Sequence, residues 1–100
     1  YLRILNEYGR RGVIALSSAT PVDTGKTARS WGYEISVTKT AYKINWTNSH
    51  VEDGVPIAIV IQYGHATRNG GYVEGRDYIN PAMKSIFEDM ANEIWREVTT

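Results

Sequence analysis

The sequence contains no cysteine. That excludes disulfide staples, thiolate nucleophiles and cysteine-ligated metal, and it fits assembly in the cytosol. An excess of one charge is missing too, because eleven basic and eleven acidic side chains cancel. No net field therefore draws the chain onto nucleic acid or an anionic bilayer. No apolar run approaches the ~20 residues of a membrane-spanning helix, so no membrane partner is expected. The chain opens on Tyr1 rather than Met, which leaves room for upstream residues, a leader among them.

What is present suffices for one core. One hundred residues match a single domain, 1–100, that buries roughly two-thirds of its unfolded surface. The apolar share is 42%, and three Trp and seven Tyr supply most of the large side chains. A wholly disordered chain needs low hydrophobicity and high net charge, and this one has neither.

Residue spacing then divides the chain. Leu2, Leu5, Val13 and Leu16, flanked by Ile4 and Tyr8, predict a helix ending over Ser17 to Pro21. Gly9 and Gly12 interrupt it at about 1 kcal/mol each relative to Ala. Either tertiary packing holds this helix or the glycines admit another backbone. Arg3, Arg10 and Arg11 give it a basic outer side. Thr20 to Gly25 is a run of turn formers, and Asp23 or Thr24 is placed to cap a short helical turn over Lys26 to Ser30. Trp31, Tyr33, Ile35 and Val37 alternate with polar residues, as do Tyr42, Ile44 and Trp46. The spacing predicts an antiparallel hairpin with one buried face.

Asn48 to Gly54 reads as a polar loop. Pro56 then opens Ile57 to Tyr63, a nearly unbroken β-branched run predicting a central strand covered on both faces. Gly64 to Gly75 reads as a long glycine-rich loop or irregular hairpin, of the kind usually functional or mobile. The final segment predicts a helix, with Asn80 as N-cap and Pro81 at the first position. Met83, Ile86, Phe87, Met90, Ile94 and Val98, widened by Ala91 and Trp95, form its apolar stripe. Its other side is biased towards acid.

An enzyme should show converging acids, bases or nucleophiles. The nearest cluster is His50, Glu52 and Asp53, with His65 downstream. The spacing matches no recognised metal-ligand pattern, so a solvated loop is the plainer reading of these residues. A metal-dependent hydrolase on His50, Asp53 and His65 is the least favoured alternative. Gly64 to Gly71, with His65, Arg68 and Asn69, lacks the Gly-Lys-Ser/Thr ending of a phosphate loop, and no helix follows it. The arginines of the first helix are weak support for DNA contact. Trp31, Tyr33, Tyr42 and Trp46 would suit base stacking on a single-strand-binding sheet. Their alternation with polar residues points them into a core instead, and Trp95 has the same reading. Neither an enzyme nor a cofactor emerges.

Three blocks in register carry a resemblance. Thr20-Pro21-Val22-Asp23-Thr24-Gly25, followed by Ala28-Arg29-Ser30-Trp31, resembles the PVDTG…L-R-x-S signature of a small structural family in tailed bacteriophages and prophages. Ile61-Gln62-Tyr63-Gly64 resembles the family's apolar segment ending in an aromatic-Gly pair. Asp77 to Met83 resembles its Pro-containing helix start. Thr27 departs from the pattern, where many members carry Leu.

The resemblance implies an α+β fold, with N-terminal and C-terminal helices packed on a small antiparallel sheet. It also implies a non-enzymatic virion protein of the neck, head–tail joining or tail-completion (minor tail) kind. Such a protein works as a homo-oligomeric ring or against neighbouring neck and tail proteins, near channel DNA but without specific contact. The expected location is the head–tail junction or tail end of a virion assembled in the bacterial cytoplasm. Pro21, Asp23, Thr24 and Gly25 are then a structural turn. The loops bearing His50, Glu52, Asp53, His65, Arg68, Asn69, Tyr72 and Arg76 are expected to make subunit or partner contacts, and the basic first helix and acidic last helix are expected to meet between subunits. A small single-stranded nucleic-acid-binding module is the alternative.

Overall fold

The computed structural model describes residues 2–21, 25–66 and 70–99, with the backbone alone of 65, 66, 72 and 73. The expected turn residues Asp23 and Thr24 and the loop residues Arg68 and Asn69 lie outside the described residues, as do the side chains of His65 and Tyr72. The fold is α+β. Helix α1 (Leu2–Ala19) and the short α2 (Gly25–Ala28) lead into strands β1 (Trp31–Val37) and β2 (Tyr42–Asn48). Strands β3 (Val51–Glu52) and β4 (Val55–Pro56) come next, then α3 (Ile57–Tyr63), β5 (Gly64–Ala66), β6 (Tyr72–Glu74) and α4 (Ile79–Thr99). The strands form three separate antiparallel pairs, β1–β2, β3–β4 and β5–β6.

Helices α1 and α4 run antiparallel. Tyr8 donates to Glu93 Oε2 at 2.6 Å, Arg11 reaches Asp89 at 3.0 Å and Arg3 faces Glu97 at 3.8 Å. Beneath this seam, Ile4, Tyr8 and Leu16 of α1 meet Met83 and Ile86 of α4 in the core. Full burial of Ile4 and Leu16 contributes roughly 1.5–3 kcal/mol each.

The β1–β2 hairpin packs on a neighbouring face of α1 and also meets α4, through Trp46 and Phe87. Its register sets Tyr33 opposite Trp46, Ile35 opposite Ile44 and Val37 opposite Tyr42, so all six share one face. Gly9 and Gly12 explain how that face reaches the helix. A Cβ on Gly9 would fall within the Tyr33 ring, and one on Gly12 within the Trp46 indole. The glycines thus admit aromatic rings rather than another backbone. Trp46 Nε1 also donates to the Gly9 carbonyl at 3.1 Å, and the Tyr33 hydroxyl donates to Asn6 Oδ1 at 2.9 Å.

Three sequence expectations are overturned. Ile57 to Tyr63 is a helix, not a strand, because only Ala58 and Gln62, one turn apart, are buried. Packing of that face overrides the β-preference of the run. Asn80 is not the cap of α4, which begins at Ile79. Gln62 Oε1 accepts the backbone N–H groups of Tyr78 and Ile79 at 3.0 and 2.9 Å, supplying from α3 the partner that a capping side chain would give. Asn80 Nδ2 instead donates to Asp77, as does Gln62 Nε2. Finally, Trp95 is not in the core but 68% exposed: the second half of α4 turns Glu93 and Glu97, not Trp95, towards α1.

Candidate functional site

The expected contact loop over Asn48 to Gly54 is a compact polar latch. Asp53 (φ 50°) and Gly54 (φ 79°) form the left-handed pair that closes the β3–β4 hairpin. His50, only 7% exposed, is internal. Its Nδ1 lies 2.6 Å from the hydroxyl of Thr27, which is fully buried, and its Nε2 lies 2.8 Å from Glu52 Oε1. A carboxylate only accepts, so the Nε2 proton points to Glu52, while the Thr27 hydroxyl, able both to donate and to accept, pairs with Nδ1. Asn48 completes the latch by donating to the Thr27 carbonyl and accepting the His50 backbone N–H. The hydrogen bond from His50, followed by its charge, holds the Glu52 carboxyl below its ordinary range.

Thr27, which departs from the resembled signature, therefore occupies a buried position that suits an apolar side chain, and His50 satisfies its hydroxyl. Of the expected contact residues, His50 is withdrawn from the surface, whereas Glu52, Asp53 and Arg76 remain exposed. The backbone N–H of Arg76 is fixed by the Ile61 carbonyl at 2.9 Å. Beside it Gly75 leaves no room for a Cβ, which would collide with the backbone of Gln62, Tyr63 and Gly64. The expected long loop is thus crossed by the β5–β6 pair, with Gly64 opposite Glu74 and His65 opposite Val73. Of the expected structural turn, Pro21 is half-buried and Gly25 opens α2. Next to them Thr20 accepts Trp31 Nε1 at 2.9 Å, tying the end of α1 to the start of β1.

The charges expected to meet between subunits meet within the chain. Tyr8, Arg11, Asp89 and Glu93 form one seam, with Arg11 stacked 4.6 Å over the Tyr8 ring. The hydrogen bond to Glu93 raises the Tyr8 hydroxyl above its ordinary value, and the one to Asp89 raises the Arg11 guanidinium. Burial likewise raises the Tyr78 hydroxyl, which donates to the Ala58 carbonyl at 2.8 Å.

Among the described residues, no three His, Asp or Glu side chains converge as metal ligands, and no helix is long and apolar enough to cross a membrane. Of the aromatics that would suit base stacking, Tyr33 and Trp46 lie on α1 and Trp46 also meets Phe87 edge-on at 5.7 Å, whereas Tyr42 is half exposed.

Two grooves on the surface are apolar. A groove of about 390 Å³ between β2 and α4 is lined by Leu5, Tyr42, Ile44, Met90 and Ile94. Ile44 also lines a second groove of about 400 Å³ that runs on past Trp46 to Met83 and Phe87. Val37, Tyr42, Phe87, Trp95 and Val98 are each at least half exposed. Sequence reasoning missed this surface because the stripe of α4 promises burial along its whole length. Comparison with models of known protein families, with curated proteins and with solved structures finds no match to this chain.

Proposed function

We propose that this chain is a non-enzymatic structural part of a tailed-phage or prophage virion. It helps to join head and tail by assembling into, or docking onto, a ring at the neck or tail end. Assembly takes place in the bacterial cytoplasm, and the product leaves a central channel. The signature blocks around Pro21, Tyr63 and Pro81 motivate the reading, and one physical observation carries it. The accessible surface is 6999 Å², against about 5,700 Å² for a compact monomer of this mass. The radius of gyration is 16.0 Å, against about 13 Å for a compact chain of this length. The extra surface includes large apolar side chains on α4 and the hairpin, the composition of a face that is covered on assembly.

Sedimentation velocity of the chain, alone and with the neck and tail proteins encoded beside it, tests this reading. The expected result is a ring-sized species, or co-sedimentation with one neighbour. Trp95→Ser should weaken that association while leaving the fold intact, because Trp95 is exposed. A strict monomer that binds none of the neighbours overturns the reading.

A further inference from the structure

The β1–β2 sheet is packed at one end and exposed at the other. Tyr33 and Trp46 lie against α1, while the outer pair, Val37 and Tyr42, stands 52% and 51% exposed. No third described strand pairs with either member. A free strand edge is a template for another strand. Each edge, moreover, borders its own apolar trench. Beside β1 is a groove of about 470 Å³ that includes Val13, Ile14 and Tyr33, and beside β2 is the one that Leu5, Met90 and Ile94 line with it.

We infer that the occupant of the β2 trench is a second copy of this chain, whose β1 edge lies along the outer half of β2 and extends the sheet. This rests on the assembly reading above and specifies its contact. Three observations select a head-to-tail contact between copies. First, the two edges are unlike, so joining β1 of one copy to β2 of the next satisfies both, whereas a twofold contact leaves one edge of each copy bare. Second, the solvent face of β1 carries an acid, Glu34, and that of β2 a base, Lys43. Head-to-tail pairing sets unlike charges across the junction, whereas a β2–β2 twofold brings Lys43 towards its own copy. Third, a rotation about an axis along the strands preserves strand direction. The next β1 then runs antiparallel to β2, continuing the alternation already present.

The magnitudes agree. The surface in excess of a compact monomer, about 1,300 Å² from the comparison above, is of the order needed for two standard half-interfaces of about 800 Å² each. Zero net charge adds no long-range repulsion between copies.

The lack of native cysteine makes the contact directly testable. Single variants Glu34→Cys, Ser36→Cys and Lys43→Cys all lie on the exposed face of the hairpin. Each is treated with a short bis-maleimide alone and in pairwise mixture, with and without the neighbouring proteins, and wild-type sedimentation runs in parallel. Covalent dimers are expected only where a β1 variant is mixed with Lys43→Cys. Dimers of Lys43→Cys alone would replace the head-to-tail contact by a twofold and overturn the inference. No covalent dimer in any mixture, with the wild type assembled or bound to a neighbour, overturns the inference and leaves the assembly reading standing. No dimer and a wild-type monomer under every condition overturns both.

Discussion

Thr27 Oγ1 lies 2.6 Å from His50 Nδ1, and neither group reaches solvent freely: Thr27 is fully buried and His50 nearly so. The pair joins α2 to the start of β3, and through the His50 carbonyl, which accepts the Ile57 N–H at 3.1 Å, to the start of α3. Thr27→Val keeps the shape and removes the hydroxyl, leaving a buried ring nitrogen unpaired. The expected cost is about 1–3 kcal/mol, the penalty for an unsatisfied buried polar group. In a domain of this size that lowers Tm by roughly 4–8 °C per kcal/mol, measurable by calorimetry. A Tm unchanged by Thr27→Val would show that the latch contributes nothing to stability.

The outer partner of the same histidine gives the latch a pH dependence. The Glu52 carboxyl, lowered from 4.5 by the His50 hydrogen bond and charge, stays ionised in the folded chain where the unfolded chain begins to bind a proton. The folded value is the depressed one, so the contribution is fully present above pH 4.5 and is lost as pH falls through the lower folded value. Glu52→Gln should therefore be less stable than wild type above pH 4.5, and the difference should shrink with acidification. Because the Glu52 side chain is 61% exposed, the difference will be small. Chemical denaturation across the acid range reads it, and a gap that widens towards low pH would refute the assignment.

Gly12 supplies a test in which two effects oppose. Helix propensity alone predicts that Gly12→Ala gains about 1 kcal/mol. The new methyl, however, would sit inside the Trp46 indole, which is itself held by the Gly9 carbonyl and by Phe87. Overpacking of this kind costs about 1–3 kcal/mol. The net expectation is a lowered Tm for Gly12→Ala, whereas the same substitution in a Trp46→Leu background should be neutral or stabilising. Thermal unfolding of the four proteins in that cycle separates clash from propensity.

Helix α1, the β1–β2 hairpin and helix α4 were legible because each repeats one spacing over many residues and buries one face. The segment Ile57 to Tyr63 was not, because a β-branched run looks alike in a covered strand and in a short helix. The telling residue was Gln62: an amide amid apolar neighbours, one turn after Ala58, is suited to bond elsewhere. Asp53-Gly54 between Val51 and Val55 was a hairpin signal hidden by the polar residues before it. The latch around His50 was half legible, since His50 and Glu52 stand two residues apart, but Thr27 joins them only through the tertiary fold. The apolar grooves were not legible at all. Periodicity reports which face of α4 is apolar, and only the reach of α1 and the hairpin decides how much of it is covered.

Gln62 offers the last test, because it connects α3 to the start of α4 by three hydrogen bonds. Its Oε1 accepts from the Tyr78 and Ile79 backbone, and its Nε2 donates to Asp77 at 2.6 Å. Gln62→Leu is close in volume and suits an apolar run, so hydrophobicity alone predicts a gain. The bond accounting predicts the opposite: two helix-end N–H groups lose their acceptor, and at Tyr78, itself buried, no water replaces it. The expected loss is about 1–3 kcal/mol, with faster amide exchange localised to the first turn of α4. Gln62→Glu keeps the acceptor but sets a second carboxylate against Asp77, so it is tested together with Asp77→Asn, which supplies a donor there; that pair should retain protection at Tyr78 and Ile79. If Gln62→Leu leaves both stability and exchange at that turn unaltered, Gln62 does not cap α4.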